Sequence, residues 1–408
     1  MNKALNYFVF LIIIICSIHF WRPLAVPPKI FNIIDLLGLS LIGIWFLRIK
    51  EPLGDTLFSK YLLFFLIGII INILTTYYFQ GQAMFDSFVS FGPYYFIFIY
   101  FFLLKADIDR ESVEKFVIVF GILYIIVHFI QFLAYPTPLF KTNIFMESRG
   151  TIRFKMEGNA FLSLLFFYSM NKYLTKLKII YLILSIVCFG IFFMQGFRTL
   201  LALYSLGTII MVFRLVKVQF KHFVYFALLL CGIYLFSQNS YIKNIYTNQV
   251  ETSVEQANQG KDYIRILELN YFTGDFIKKN WLYFWGSGVS NPKSNYGKHL
   301  ESVEDDYNLF WVDIGLIGFY IMMGAIITIS LISLTIKACL FKSDRENQYL
   351  SIFFIFLLFS SFTTVELFRS GSLGTIGIAL YLMEKSKIRN DTEMDETEES
   401  TQLNIENI

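Results

Sequence analysis

Apolar residues fall in long blocks separated by short polar clusters, with neither the one-sided stripe of a water-soluble helix nor the alternation of a half-buried strand. Cut at charged or Pro/Gly-rich gaps, the blocks lie at 5–20, 30–47, 61–79, 86–104, 116–134, 157–171, 179–195, 199–213, 220–238, 308–336, 347–366 and 368–384. Most approach the roughly 20 residues a helix needs to cross a hydrocarbon core of about 30 Å. The pattern predicts an all-α integral membrane protein with about 12 transmembrane helices and one large extracytoplasmic loop at 239–307. Trp21-Arg22-Pro23 follows the first block without a small-residue cleavage pattern, so that block is expected to remain as a helix. Residues 1–384 are read as one polytopic domain. The acid-rich end, 385–408, is read as a disordered cytoplasmic tail.

Composition strengthens this reading. Of 408 residues, 56% are hydrophobic and 16% charged, which excludes an ordinary soluble enzyme. Cys16, Cys188, Cys231 and Cys339 all sit in or at the end of apolar blocks and read as small hydrophobes, not as a disulfide framework or metal site. Lys and Arg then orient the chain. With the N-terminus inside, every inner connection after the first carries three basic residues, for example Arg48, Lys50 and Lys60, or Lys337, Lys342 and Arg345. Both termini are therefore placed in the cytoplasm.

The residues that break this rule carry the chemistry. Arg149, Arg153, Arg198, Arg265 and Arg369 are expected on the outer side, several in turns too short to rise far from the membrane. Charged groups held there are costly and default to function. Planar guanidinium forks match phosphate oxygens, so Arg153, Arg198, Arg265 and Arg369 are candidates for binding a lipid-linked diphosphate. The alternative is snorkelling to ordinary phospholipid phosphates.

In the outer loop, residues 261–279 place Ile264, Leu267, Tyr271, Phe272 and Phe276 mostly at helical spacing, which predicts an amphipathic helix carrying Arg265. Trp281–Trp285 and the Gly286-Ser287-Gly288 turn follow. The aromatics suit either sugar stacking or interfacial anchoring. Next come His299, Glu301, Glu304, Asp305 and Asp306, directly before a helix opening Asp313-Ile-Gly315-Leu-Ile-Gly318. Asp305, Asp306, Glu157 and His299 are the candidate catalytic groups, able to take a proton from a sugar hydroxyl. Their alternative reading is a hydrophilic loop end, or carboxylates that neutralise the arginines. No ligand spacing favours a metal, and no cofactor is implied. His19, His128 and His222 read as satisfied core or interface residues, and Asp35 and Glu366 as partners of basic residues. A transporter is expected to show internal repeats or paired broken helices, and no sequence sign of either is visible.

These features resemble the bacterial O-antigen polymerase and O-antigen ligase superfamily. The shared elements are the Arg153-Phe-Lys-Met-Glu157 stretch before a span, the Gly196-Phe-Arg198 turn, the loop helix with Arg265, the Gly286-x-Gly288 turn and the Asp313-Ile-Gly315-Leu-Ile-Gly318 segment. Where ligases carry a His before that last helix, this chain has Glu304-Asp305, so it looks more like a surface polysaccharide polymerase. The resemblance implies a glycosyltransferase of the bacterial inner membrane, independent of nucleotide sugars. Its partners would be undecaprenyl-diphosphate-linked glycans, membrane lipids and a chain-length regulator protein, without nucleic acid. It further implies O-antigen, capsule or exopolysaccharide polymerisation, with a ligase or a lipid-linked oligosaccharide flippase as alternatives.

Overall fold

The computed structural model describes residues 3–47, 56–142, 145–148, 151–154, 156–215, 258–277, 279–369 and 371–387, with isolated positions between 247 and 255. The predicted block at 220–238 and the first part of the long loop lie outside the described residues. Helices α1 (Lys3–Ile18), α2 (Pro28–Leu47) and α3 (Ser59–Gln80) occupy the first three apolar blocks. After them come α4 (Met84–Ser90), α5 (Gly92–Ala106) and α6 (Arg110–Leu133), the last opened by Asp109, whose carboxylate accepts the Ser112 N–H. Then follow α7 (Asn159–Lys176), α8 (Ile179–Met194) and α9 (Arg198–Leu215). The loop region supplies α10 (Ile264–Asn270), α11 (Trp281–Trp285) and α12 (Asn295–Tyr307). Helices α13 (Gly315–Cys339), α14 (Gln348–Ser361) and α15 (372–387) complete the bundle.

Five described helices are long and apolar enough to cross a membrane, six when α4 and α5 count as one span bent by 55°. Large apolar side chains such as Ile33, Leu36, Phe64, Ile70, Val119 and Ile126 face outwards from α2, α3 and α6, as lipid-facing surface requires. The protein is an all-α, membrane-embedded bundle.

Five departures from the sequence reading matter. The fourth block is not one straight helix, because Gly92 and Pro93 interrupt it and the proline ring cannot continue the hydrogen-bond ladder. The eleventh ends at Ser361, after which Val365–Phe368 form a buried turn. Helix α15 includes residues 385–387, the first three of the segment expected to be a tail, and residues 388–408 lie outside the described residues. A short hairpin also precedes α7. Its strands β1 (Phe145–Ser148) and β2 (Thr151–Phe154) pair antiparallel, with Met146 opposite Arg153.

The largest departure is inside α13, where Gly324 takes φ 77°, ψ 176° and breaks the helix. The sequence reading expected no broken helix. The turn at Gly286–Gly288 enters this gap. Ser287 N–H donates to Ile321 O at 2.9 Å and Gly288 N–H to Met322 O at 2.8 Å. From α3, Asn72 Nδ2 lies 3.0–3.2 Å from the carbonyls of Trp285, Met322 and Met323. Non-helical backbone at membrane depth is tolerated where protein groups satisfy it, and these donors do so. Only glycine fits: a Cβ on Gly286 would lie 2.4 Å from Gly324 N, and one on Gly324 2.4 Å from Trp285 O. Further out, Gln82 secures the same segment by donating to Val289 O and accepting from Asn291 N–H and Ser294 Oγ.

Polar groups collect in two belts at opposite ends of the bundle. One contains Arg110, Glu114, Lys172, Glu346 and Asn347, with Asn171 Nδ2 on the Arg345 and Glu346 carbonyls. All come from connections assigned by charge to the inner side. The other belt joins connections assigned to the outer side and holds the candidate site.

Candidate functional site

The site is built where three chain segments meet backbone to backbone. Helix α1 ends at Ile18, and His19 follows in the left-handed region at φ 60°. Gly158 (φ 84°) and Gly371 (φ 83°) sit against it: a Cβ on Gly158 would lie 3.0 Å from Ile18 O, and one on Gly371 2.9 Å from Gly158 N. A side chain at either glycine would push the segments apart, so this contact sets Glu157, just before Gly158, close to the Arg369 turn. Non-glycine residues with positive φ are uncommon, and such strain collects at functional positions.

Around His19 lies a buried charge network. Its Nδ1 is 2.6 Å from Glu157 Oε2, and its Nε2 is 3.2 Å from Asp35 Oδ1. Arg22 pairs with Asp35, and its guanidinium lies 5.2 Å from the Phe31 ring centroid. Lys141 Nζ is 3.5 Å from Glu157 Oε1. Burial alone would lower the His19 imidazole, but the Asp35 and Glu157 carboxylates raise it above its ordinary 6.5. Burial alone would raise Glu157, but the His19 hydrogen bond and the charges of His19, Lys141 and Arg22 pull it down to about 2. Glu157 is therefore ionised near neutral pH, and its charge with that of Asp35 favours the protonated form of His19.

Beside this network lies a second polar cluster that includes Arg153 and Arg369. Arg153 Nε donates to Gln195 O at 3.4 Å, and its guanidinium sits 5.0 Å from the Phe197 ring. Gln195 Nε2 reaches Asn159 Oδ1 at 3.4 Å and Tyr124 Oη at 3.5 Å, and Tyr124 in turn bonds Asn159. Arg369 Nε is 3.8 Å from the buried carboxylate of Glu366, and both charges act on the Tyr124 hydroxyl. Arg198 begins α9 just after the Gly196 turn, three residues beyond Gln195. Two buried donors, Arg369 Nη1 and Asn159 Nδ2, have no acceptor among the described residues. Buried donors are normally paired, which makes both of these available to a ligand oxygen.

The structure thus draws Arg153, Arg369 and Glu157 into one region, with Arg198 on the adjoining turn. The other candidates lie on the loop elements. Arg265 is half-buried on α10, one turn before Glu268. Glu268 is buried, accepts the Phe310 N–H at 3.1 Å and has a free, buried Oε2. Burial and the charge of Asp313 push its carboxyl up to about 7, against the opposing pull of the Phe310 N–H and Arg265. His299, Asp305 and Asp306 occupy the exposed face of α12, whose buried face is Tyr296, Leu300 and Val303. No described contact joins those three to Arg153 or Arg369.

Sequence reasoning named Glu157 and the arginines as candidates and did not single out His19, Arg22 and Lys141, which the structure places around Glu157 and Asp35, or Glu268 beside Phe310. His19 had one signal, a titratable residue at the exit of an apolar helix. Glu268 had another, an acid one turn from Arg265. His128 corrects an expectation: it is buried, its ring centroid lies 4.4 Å from that of Phe154 at a tilt of 31°, and neither ring nitrogen has a partner among the described residues. Asp35 and Glu366 do pair with basic residues, as expected. Among the described residues no group of three His, Cys, Asp or Glu is placed to hold a metal ion. A scan against protein-family models and a search of curated proteins return no match for this chain.

Proposed function

We propose that this protein is a surface polysaccharide polymerase with about 12 membrane spans. It would transfer a glycan from undecaprenyl diphosphate to a second lipid-linked repeat unit on the outer side of a bacterial inner membrane, with both termini cytoplasmic. In the reaction, a hydroxyl oxygen of the acceptor sugar bonds to the anomeric carbon of the donor. The bond from that carbon to the diphosphate oxygen breaks, and the lipid diphosphate leaves with the electron pair. The acceptor proton passes to a carboxylate. Charge grows on the leaving diphosphate, so preorganised guanidinium donors in a water-poor site lower the barrier most.

One observation carries the reading. Arg153 and Arg369, from segments more than 200 residues apart in sequence, both meet the cluster of Tyr124, Asn159 and Gln195, where the buried donors Arg369 Nη1 and Asn159 Nδ2 have no acceptor among the described residues. The oxygens of an anionic ligand would pair with these donors, and the surrounding apolar helices would accommodate its lipid. Arg198 and Arg265 complete the proposed diphosphate set. Glu157, ion-paired and held far below neutral, suits orienting an acceptor hydroxyl better than taking its proton. Asp305 and Asp306, with His299 behind them, remain the bases proposed from sequence. Glu268 joins them as the carboxyl best tuned for proton transfer near pH 7.

The break at Gly324 gives a second reading some support, since broken helices are common in transporters. Here, however, the gap is filled by Gly286–Gly288 and Asn72. Purified protein supplied with labelled lipid-linked repeat units separates the possibilities. A ladder of longer chains on the lipid carrier is expected. Transfer to another acceptor indicates a ligase, and movement across the bilayer without transfer indicates a flippase.

A further inference from the structure

Away from the site, α1 and α6 enclose an apolar groove of about 620 Å³. Its walls are mainly aliphatic and aromatic, including Leu11, Ile15, Phe116 and Leu123, and Phe10 packs edge-on against Phe116 at 4.9 Å. Val119 and Leu123 are 52% and 41% exposed, so one side opens towards lipid. Polarity is confined to one end, where Ser112 and Lys115 stand. Trp21 lines the other end, its indole N–H fixed on Ile15 O at 2.9 Å.

Size and charge define the occupant. From Lys115 to Val127 the groove follows α6 for about 18 Å at 1.5 Å per residue. That is close to one leaflet, half of a core about 30 Å thick. At about 30 Å³ per water-sized group, the volume holds roughly 20 such groups, the size of one fatty-acyl chain with its glycerol ester. Near the polar end, most acids are already engaged: Asp107 with Lys385, Asp109 with Tyr7 and Ser112, and Glu114 with Arg110. Lys115 is exposed and forms no ion pair among the described residues, not even with Glu111 one turn earlier. An unneutralised cation at the mouth of a chain-sized apolar slot selects an anionic headgroup over a zwitterionic one.

We propose that this groove binds one anionic phospholipid of the leaflet on the Lys115 side, with its phosphate at Lys115 and one acyl chain laid between α1 and α6 towards Trp21. The site is independent of the glycan chemistry proposed above. The test uses native mass spectrometry of protein released from nanodiscs containing equal phosphatidylglycerol and phosphatidylcholine. One retained phosphatidylglycerol per chain is expected, with a preference of about fivefold, the effect of about 1 kcal/mol for one basic residue at a charged surface. Lys115→Ala should bring the preference near one, and Leu123→Trp, which fills the groove, should remove the retained lipid of either class. Should Leu123→Trp fail to fold, Lys115→Ala at its exposed position decides alone. No retained lipid, equal retention of both lipids by the unaltered protein, or an unchanged preference in Lys115→Ala would overturn the proposal.

Discussion

Replacing His19 by Gln removes the cation that lies between Glu157 and Asp35 while keeping a side chain able to donate to one of them. In the native protein His19 lies 2.6 Å from Glu157 and 3.2 Å from Asp35, and its side chain is only 5% exposed. Truncating one partner of a buried ion pair costs about 3–5 kcal/mol. Lys141 and Arg22 continue to neutralise the two carboxylates, and the glutamine amide recovers one hydrogen bond, so the net loss is set at about 2–3 kcal/mol. The pH dependence gives the sharper test. His19 is raised in the folded state, so its contribution is complete below 6.5 and lost as pH rises through the folded value. Glu157 is lowered, so its contribution is complete above 4.5 and lost as pH falls towards about 2. Wild-type stability supplied by this pair should therefore be greatest between 4.5 and 6.5. Thermal unfolding in detergent micelles, followed by circular dichroism at mildly acidic and at alkaline pH, measures it. The gap between wild type and His19→Gln should be widest at the acidic value and shrink at the alkaline one. His19→Asn, which tolerates positive φ better, separates backbone strain from charge. A pH-independent gap, or one below about 0.5 kcal/mol as at ordinary surface positions, would refute the charge network.

Other outcomes follow from the same geometry. Arg198→Ala and Arg265→Ala should each abolish chain extension while leaving membrane insertion intact, as read from glycan ladders and membrane fractionation. Arg153→Lys should restore only part of the activity lost in Arg153→Ala, since an ammonium cannot reproduce the guanidinium fork. Asn72→Leu should lower stability by about 2–4 kcal/mol, because buried carbonyls at the Gly324 break lose their donor. Gly324→Ala should fold poorly, for the new methyl meets Trp285 backbone. Expression and size-exclusion profiles report both. The Glu268 carboxyl is raised to about 7, so its protonated form favours the folded state below 4.5 and that contribution disappears as pH rises through about 7. Glu268→Gln should flatten this part of the stability–pH curve.

The apolar blocks made most helices legible, because their hydrophobicity is a local property of sequence. The charge rule also grouped connections that the structure brings into contact: Lys172 with Glu346 at one end, Lys141 with Glu157 at the other. What stayed hidden depends on distant partners. Met322-Met323-Gly324-Ala325 reads as uninterrupted span, since the donors that stabilise its break come from Asn72 and from Ser287 and Gly288. His19 looks like an ordinary helix-end residue until Glu157, 138 positions later, is placed against it. The convergence of Gly158 and Gly371 on Ile18 O likewise depends on tertiary packing alone. His299, Asp305 and Asp306 share a helix face that sequence spacing could order but not aim.

The proposed transferase requires Arg153 and Arg369 to hold one and the same diphosphate. A double-mutant cycle on binding of a short-chain prenyl diphosphate tests it directly, comparing wild type, Arg153→Ala, Arg369→Ala and the double variant by calorimetry. Residues sharing a ligand show coupling of roughly 0.5–3 kcal/mol, and independent sites add to within about 0.3–0.5 kcal/mol. Coupling above about 1 kcal/mol is the expected result. Additive losses, or binding untouched by either substitution, would contradict a shared site.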